Sequence, residues 1–286
     1  MERITAACAA AVLIGCGGRA RHLAPIRLEP LVTFGADSGD GAMATEPRVS
    51  ALHPDGFRIV IPAAGAGGLA TAPLVYSREG RFLGTLQGGE RPDEQFQVPL
   101  FARFGPGDSI WVFDGAGRAL IFGRDRRYAR TASLPVTPWD ALVLTGGRML
   151  VSPADANRPL PLLLLDSAGG LIRRFGGADT LPSRPLAPRW LARGSDGTFW
   201  SMPTRFRWRL EHWDSIGKLL STVERRPAWF TPYARDVAPD GDHPPDPVIR
   251  GFWLGPLDRL WVLGEVADRT WRTGLASHLP GSAEVI

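Results

Sequence analysis

The stretch LLLLDSAGGLIRRF, residues 162–175, decides the fold. Four consecutive leucines offer no apolar–polar alternation, so a strand built from them is covered on both faces. A Gly-containing turn follows, and a second apolar stretch resumes after it. The same element recurs as PLVYSREGRFLGTL (73–86), ALIFGRDRRYARTA (119–132) and LEHWDSIGKLLSTV (210–223). Aligned on the turn positions Gly80, Arg126, Gly169 and Gly217, the copies stand 46, 43 and 48 residues apart. Repetition at this interval is read before any local detail, because it fixes the architecture.

Upstream of each copy lies another hairpin: HPDGFRIVIP (53–62), GPGDSIWVFD (105–114), TGGRMLVSP (145–153) and GSDGTFWSMP (194–203), with a fifth in GPLDRLWVLG (255–264). One more short strand candidate precedes each: PRVSAL, VPLFARF, DALVLT, RWLAR and IRGFWL. The unit is four short antiparallel strands joined by tight turns, which matches the blade of a β-propeller. The fold class expected is therefore all-β. Blades pack face to face, so their middle strands read as unbroken apolar runs, as SIWVF does. Trp111, Trp200 and Trp261 recur at one position of the second strand, where a flat ring fills the wedge between neighbouring blades. A helical reading fails, since no segment beyond the N-terminus keeps apolar residues at i, i+3 and i+4 over a dozen positions.

The turns REGRFLGTLQGGERPDEQFQVP (78–99) and DSIWVFDGAGRALIF (108–122) resemble those of bacterial six-bladed propellers related to NHL repeats, which are often lipoproteins. The resemblance runs from about residue 25 to about residue 272 and implies a fold without implying an activity. It also implies that IRLEPLVTFG (26–35) is an opening strand that pairs with the last blade and closes the ring. The repeats count to four full blades and the start of a fifth, after which residues 265–286 offer one further strand. The expectation is a six-bladed type, incomplete at about five blades, and a truncated fragment without independent function is one reading of it.

The totals exclude other classes. A chain of 286 residues, 44% hydrophobic, fills a real core. The 34 glycines and 26 prolines are dispersed between apolar runs, as many turns require. Basic and acidic residues number 33 and 29, and Lys218 is the sole lysine. The basic patches GRDRRYAR (123–130) and RFRWR (205–209) lie among strands and form no helical stripe, so no nucleic-acid partner is expected.

Both cysteines, Cys8 and Cys16, fall in the first sixteen residues. Residues 4–15, ITAACAAAVLIG, form an uncharged apolar run behind Arg3, of signal-peptide length and too short to span a bilayer. Leu13-Ile14-Gly15-Cys16 resembles the bacterial lipoprotein signal, in which the cysteine sulfur receives a diacylglycerol and becomes the first mature residue. The domains expected are a signal over 1–15, a tether over 16–25 and a propeller over 26–286. The partner implied is the membrane, reached through a lipid on Cys16, on the periplasmic or cell-surface side. Gly17 after the cysteine, where inner-membrane lipoproteins of this kind carry Asp, points to the outer membrane.

Between the fourth and fifth repeats, residues 224–249 form a Pro-rich insert. Long inserts without strands of their own often serve as binding lids. Its aromatics Trp229, Phe230 and Tyr233, with Arg207 and Arg209 as an anion-attracting patch, are the candidate contacts for a protein, peptide or small ligand. Asp236, Asp240, Asp242 and Asp246 are weak candidates for a divalent cation, because they lack the ordered spacing and terminal Glu of a calcium loop. The bland reading of the insert is a solvated, Pro-stiffened loop tucked by its aromatics onto the blade. Enzyme motifs are absent: no HExxH or G-x-S-x-G occurs, and Asn157 is the sole asparagine, against the carboxylate and amide ligands of a lactonase-type calcium channel. The function expected is a lipid-anchored binding, scaffold or sensor module without a cofactor. The alternative is a metal-dependent hydrolase or lactonase with its cation in the channel.

Overall fold

The computed structural model describes residues 47–63, 72–154, 161–176, 187–194, 196–233, 243–255, 258–267 and 283–285. All of these belong to one compact unit, Phe34–Ile286, and residues 1–33 lie outside the described residues. The signal, Cys16, the tether and the strand expected at 26–35 thus lie outside the described residues, as do Asp236, Asp240 and Asp242.

Strands run in chain order across each sheet, every neighbour antiparallel. The first sheet holds β1 (Pro47–Leu52), β2 (Arg58–Pro62), β3 (Leu74–Tyr76) and β4 (Phe82–Thr85); the second holds β5 (Pro99–Phe104), β6 (Ile110–Asp114), β7 (Arg118–Phe122) and β8 (Tyr128–Ser133). The third contains β9 (Pro138–Val143), β10 (Met149–Pro153), β11 (Leu162–Leu165) and β12 (Leu171–Phe175); the fourth, β13 (Arg189–Arg193), β14 (Phe199–Pro203), β15 (Arg209–Trp213) and β16 (Leu219–Glu224). A final sheet pairs β17 (Val248–Leu254), β18 (Leu260–Ala267) and β19 (Ala283–Val285). First strands pack in succession, β1 on β5, β5 on β9, β9 on β13 and β13 on β17, which is the inner strand order of a propeller.

The blade count departs from expectation. Among the described residues there are four complete four-stranded blades, neither five nor six, and the fifth repeat forms only a three-stranded sheet. Among the described residues the fifth repeat pairs β18 with the short β19 and shows no fourth strand, so it does not repeat the quartet of the other four.

The middle strands of the second and third sheets are buried on both faces, and their alternate residues serve different cores. Trp111 and Phe113 of β6, with Ala119 and Ile121 of β7, pack with Ala141, Val143, Met149 and Val151 of the third sheet. Their neighbours Ile110, Val112, Leu120 and Phe122 pack with Ile59, Ile61 and Val75 of the first. In the leucine run 162–165, Leu163 and Leu165 face the second sheet and Leu162 and Leu164 the fourth. The unbroken apolar run thus follows from a strand with a core on either side.

Turn chemistry fits the repeat alignment. Gly80, Arg126, Gly169 and Gly217 all take positive φ, at 86°, 68°, 99° and 82°. Asp166 Oδ1 accepts from the Ala168 and Gly170 amides at 2.8 Å, and Asp214 Oδ1 from those of Ile216 at 3.0 Å and Lys218 at 2.8 Å. Ser77 Oγ repeats the pattern with Glu79 and Arg81 at 3.2 Å. These amide donors hold both aspartates below the usual carboxylate range.

Arginines on outer strands stitch the ring. Arg130 on β8 donates to the Ser167 carbonyl in the third sheet's turn at 2.8 Å, and Arg173 on β12 donates to the Ile216 carbonyl in the fourth sheet's turn at 3.0 Å. The basic patch 123–130 therefore serves, through Arg130, to join blades. Nearer the centre, the buried Asp140 on β9 accepts from the Leu191 amide at 2.8 Å and pairs with Arg103. One carboxylate thereby ties β5, β9 and β13. Burial pushes its pKa up, with the Arg103 charge opposing that rise.

The recurrent tryptophans differ in their surroundings. Trp111 is 2% exposed and donates from Nε1 to Ser109 Oγ at 3.0 Å. Trp200 stacks on His212 at 4.2 Å, among residues packed between the fourth and fifth sheets. Trp261 stacks on its cross-strand partner Trp253 at 6.3 Å, and both remain 47% exposed. The wedge role holds for the first two; the fifth sheet turns its third ring outward.

Candidate functional site

A short hairpin in the second blade organises the polar site. Asp114 closes β6 and Arg118 opens β7, so the turn between them sets opposite charges close together. Asp114 is fully buried and accepts from the amides of Gln97 at 2.8 Å, Val98 at 3.2 Å and Ala116 at 2.9 Å. Arg118 donates to the Asp93 carbonyl at 2.5 Å and to the Gln95 carbonyl. Its guanidinium also stands 3.7 Å from Asp114. One hairpin thereby grips both halves of the loop leading from the first blade to the second. Within that loop a single turn of 3-10 helix, Pro92–Glu94, is closed by Arg91, whose guanidinium meets Glu94 Oε1 at 2.6 Å. This bond holds the Glu94 carboxyl below its ordinary range.

Fixed in this way, the loop stands opposite the outer strand β8 and encloses a cleft of about 470 Å³. Arg91, Asp93 and Glu94 of the loop, Arg118 of β7, and Tyr128, Ala129, Arg130, Thr131 and Ser133 of β8 line it. Tyr128 and Thr131 share a hydroxyl–hydroxyl bond of 2.9 Å. Arg118 Nε is buried and has no hydrogen-bond partner among the described residues. Because β8 is the last strand of its sheet, the edge it presents has no strand beside it within that sheet. The size suits a small molecule or a short segment of chain, while polar walls favour a ligand that offers hydrogen bonds over an apolar one.

The residues expected from sequence to bind a ligand sit elsewhere, between the fourth and fifth sheets. Phe230 is 1% exposed and joins Ala192, Met202, Ile249 and Phe252 in a core, with Trp229 and Tyr233 packed against it. Trp229 crosses Trp208 edge-on at 5.0 Å and lies against Gly264 of β18. Tyr233 donates its hydroxyl to the Pro247 carbonyl at 3.1 Å. Arg209 is ion-paired with Glu211 at 3.0 Å and Glu224 at 3.5 Å, and Arg207 is half-buried. Asp246 is half-buried in the segment before β17. Sequence reasoning missed the cleft on β8, whose arginines stand in strands and loops of ordinary composition; the signal available was the opposed pair flanking the turn of Asp114 and Arg118.

No protein-family model matches the sequence, and no curated protein matches it. Among solved structures, the chain is similar to a Bacteroides fragilis protein described as exported, at 13% identity and a TM-score of 0.50, covering 65% of this chain and 52% of that one. It is also similar to the extracellular domain of a hybrid two-component system of B. thetaiotaomicron, at 9% identity and a TM-score of 0.52, covering 89% of this chain and 30% of that one. The chain therefore spans about half the length of the first and under a third of the second. At such identities the likeness concerns the fold, and the class it defines with the sheets above is the β-propeller. Among the described residues, no helix is long and apolar enough to cross a membrane.

Proposed function

We propose that the chain is an exported propeller, related to NHL-repeat lipoproteins and fastened to a membrane through an acylated Cys16, that binds an extended peptide segment along β8. The observation that carries the binding role is the cleft itself: a polar trough of about 470 Å³ lined by β8, which among the described residues is the outermost strand of its sheet. An added strand gains main-chain hydrogen bonds from such an edge, and flanking side chains choose among sequences. Here the exposed Arg91, with Arg130, favours acidic side chains, and Asp93 favours a basic one. Export is supported by the signal-like run at 4–15 with its Leu13–Cys16 tetrapeptide, and by the similarity to proteins described as exported or extracellular.

The test uses peptides selected on the full chain from a random display library, followed by affinity measurements on Ala129→Trp. Ala129 is an exposed residue of β8, so the indole fills the cleft with little effect on folding. The expected result is at least a tenfold loss of affinity, about 1.4 kcal/mol, with an unchanged melting midpoint. Equal binding to the variant, or a library that yields no binder, overturns the proposal.

A further inference from the structure

Three titratable side chains from two neighbouring blades converge where the turn between β1 and β2 meets the turn between β5 and β6. His53 is 2% exposed, stacked on Phe57 at 4.3 Å and set edge-on to Phe104 at 4.7 Å. Its Nδ1 accepts the Asp55 amide at 3.1 Å. Its Nε2 is buried, has no hydrogen-bond partner among the described residues and faces Asp108 Oδ1 at 3.4 Å. Asp55 Oδ2 stands 3.7 Å from Nδ1, and one ligand atom from each of the three residues lies within 4.8 Å of the others. Arg124, from the turn between β7 and β8, places its guanidinium 3.3 Å from Asp55 and 3.5 Å from Asp108. Its side chain is 71% exposed, so it can leave without disturbing the core.

We infer that His53, Asp55 and Asp108 form a site for a divalent transition-metal ion of the Zn²⁺ class, which competes with the Arg124 guanidinium for the two carboxylates. One imidazole and the Asp108 carboxylate, with Asp55 behind the ring and water completing the shell, suit a borderline ion. The unpaired Nε2 supplies what an acidic cluster alone lacks, a buried nitrogen already aimed at the site. Nδ1 now accepts the Asp55 amide, so coordination through Nε2 places the ring proton on Nδ1, where the Asp55 carboxylate, 3.7 Å away, accepts it and the Asp55 amide gives up its bond to the ring. Asp55 then orients the ring while Asp108 meets the ion, the arrangement in which a carboxylate steadies a metal-bound histidine. The bound ion joins the first and second blades.

The experiment titrates Zn²⁺ calorimetrically, and Co²⁺ by visible absorption, into the full chain carrying C8S and C16S so that thiols do not contribute. One ion per chain is expected, with a higher melting midpoint. Because His53→Ala opens a hole in the core, the deciding variants are Asp108→Asn and Arg124→Ala, both at exposed side chains. Asp108→Asn weakens binding at least tenfold and abolishes the Zn²⁺-induced rise in melting temperature, whereas Arg124→Ala tightens binding. No binding at millimolar Zn²⁺, binding unchanged in Asp108→Asn, or binding no tighter in Arg124→Ala overturns the inference.

Discussion

Replacing Gly169 by alanine tests whether the blades are locked to each other through their turns. At φ of 99° an L-residue costs about 1–2 kcal/mol in backbone strain. An added Cβ also falls 1.6 Å from the Ser133 carbonyl oxygen of the preceding blade, so the turn must retreat from β8. That retreat breaks the bond from Arg130 to Ser167 beside it, worth about 1 kcal/mol, and loosens the packing around it. The total is about 3 kcal/mol, or roughly a 9 °C fall in melting midpoint for a domain of this size. Gly197 supplies the control, because it has φ of 82° and nothing within 4 Å of a built Cβ. Gly197→Ala carries the backbone cost alone, about 1–2 kcal/mol and roughly 3–6 °C. Urea and thermal melts of both variants measure the difference. A double-mutant cycle adds the second arm: Arg130→Ala destabilises the wild-type chain but adds nothing in the Gly169→Ala background, since the bond is already broken. Equal losses for the two glycines, or fully additive effects of Gly169→Ala and Arg130→Ala, would refute the reasoning.

Truncating the recurrent tryptophans should separate wedge from surface. Trp111→Ala costs about 3–5 kcal/mol by opening a cavity between the second and third blades, while Trp261→Ala, half-exposed on the fifth sheet, costs about 1 kcal/mol; denaturation midpoints of the two variants check this. The turn aspartates give a pH dependence. Asp166 and Asp214 have carboxyls held below the ordinary range by backbone amides, so their stabilising effect is complete above about pH 4 and is lost as pH falls through their lowered folded-state values. Urea midpoints measured from neutral pH to below pH 3 should decline on the acid side. The double variant Asp166→Asn/Asp214→Asn, whose amide oxygens still accept but do not titrate, should show a shallower decline, and an unchanged slope would refute the assignment.

Repetition was the legible part of this chain. The four aligned turn positions all proved to be left-handed, including Arg126, where no glycine advertises it. Unbroken runs such as 162–165 revealed strands with two cores because burial on both faces removes the polar half of the usual alternation. The blade number was less legible. A resemblance in turn sequences carries the local geometry of one blade but not the number of units around the axis. The β8 cleft was hidden for another reason. Its lining comes from three places in the chain, brought together by the buried grip of Asp114 and Arg118 on a loop whose sequence looks like any other connection. The aromatic insert drew notice by composition, yet Phe230 lies in a core, since rings that mark a binding lid also suit the filling of a gap between sheets.

That alternate residues of each inner strand answer to opposite neighbours sets a rule for how such a gene can change. Adding or removing one codon within β10 or β11 would exchange what the blades on either side receive, spoiling two boundaries at once. Gain or loss of an entire strand quartet keeps the parity of every survivor. Lineages of this protein should therefore vary by whole modules and by loop length, and rarely by single-residue slips inside a strand.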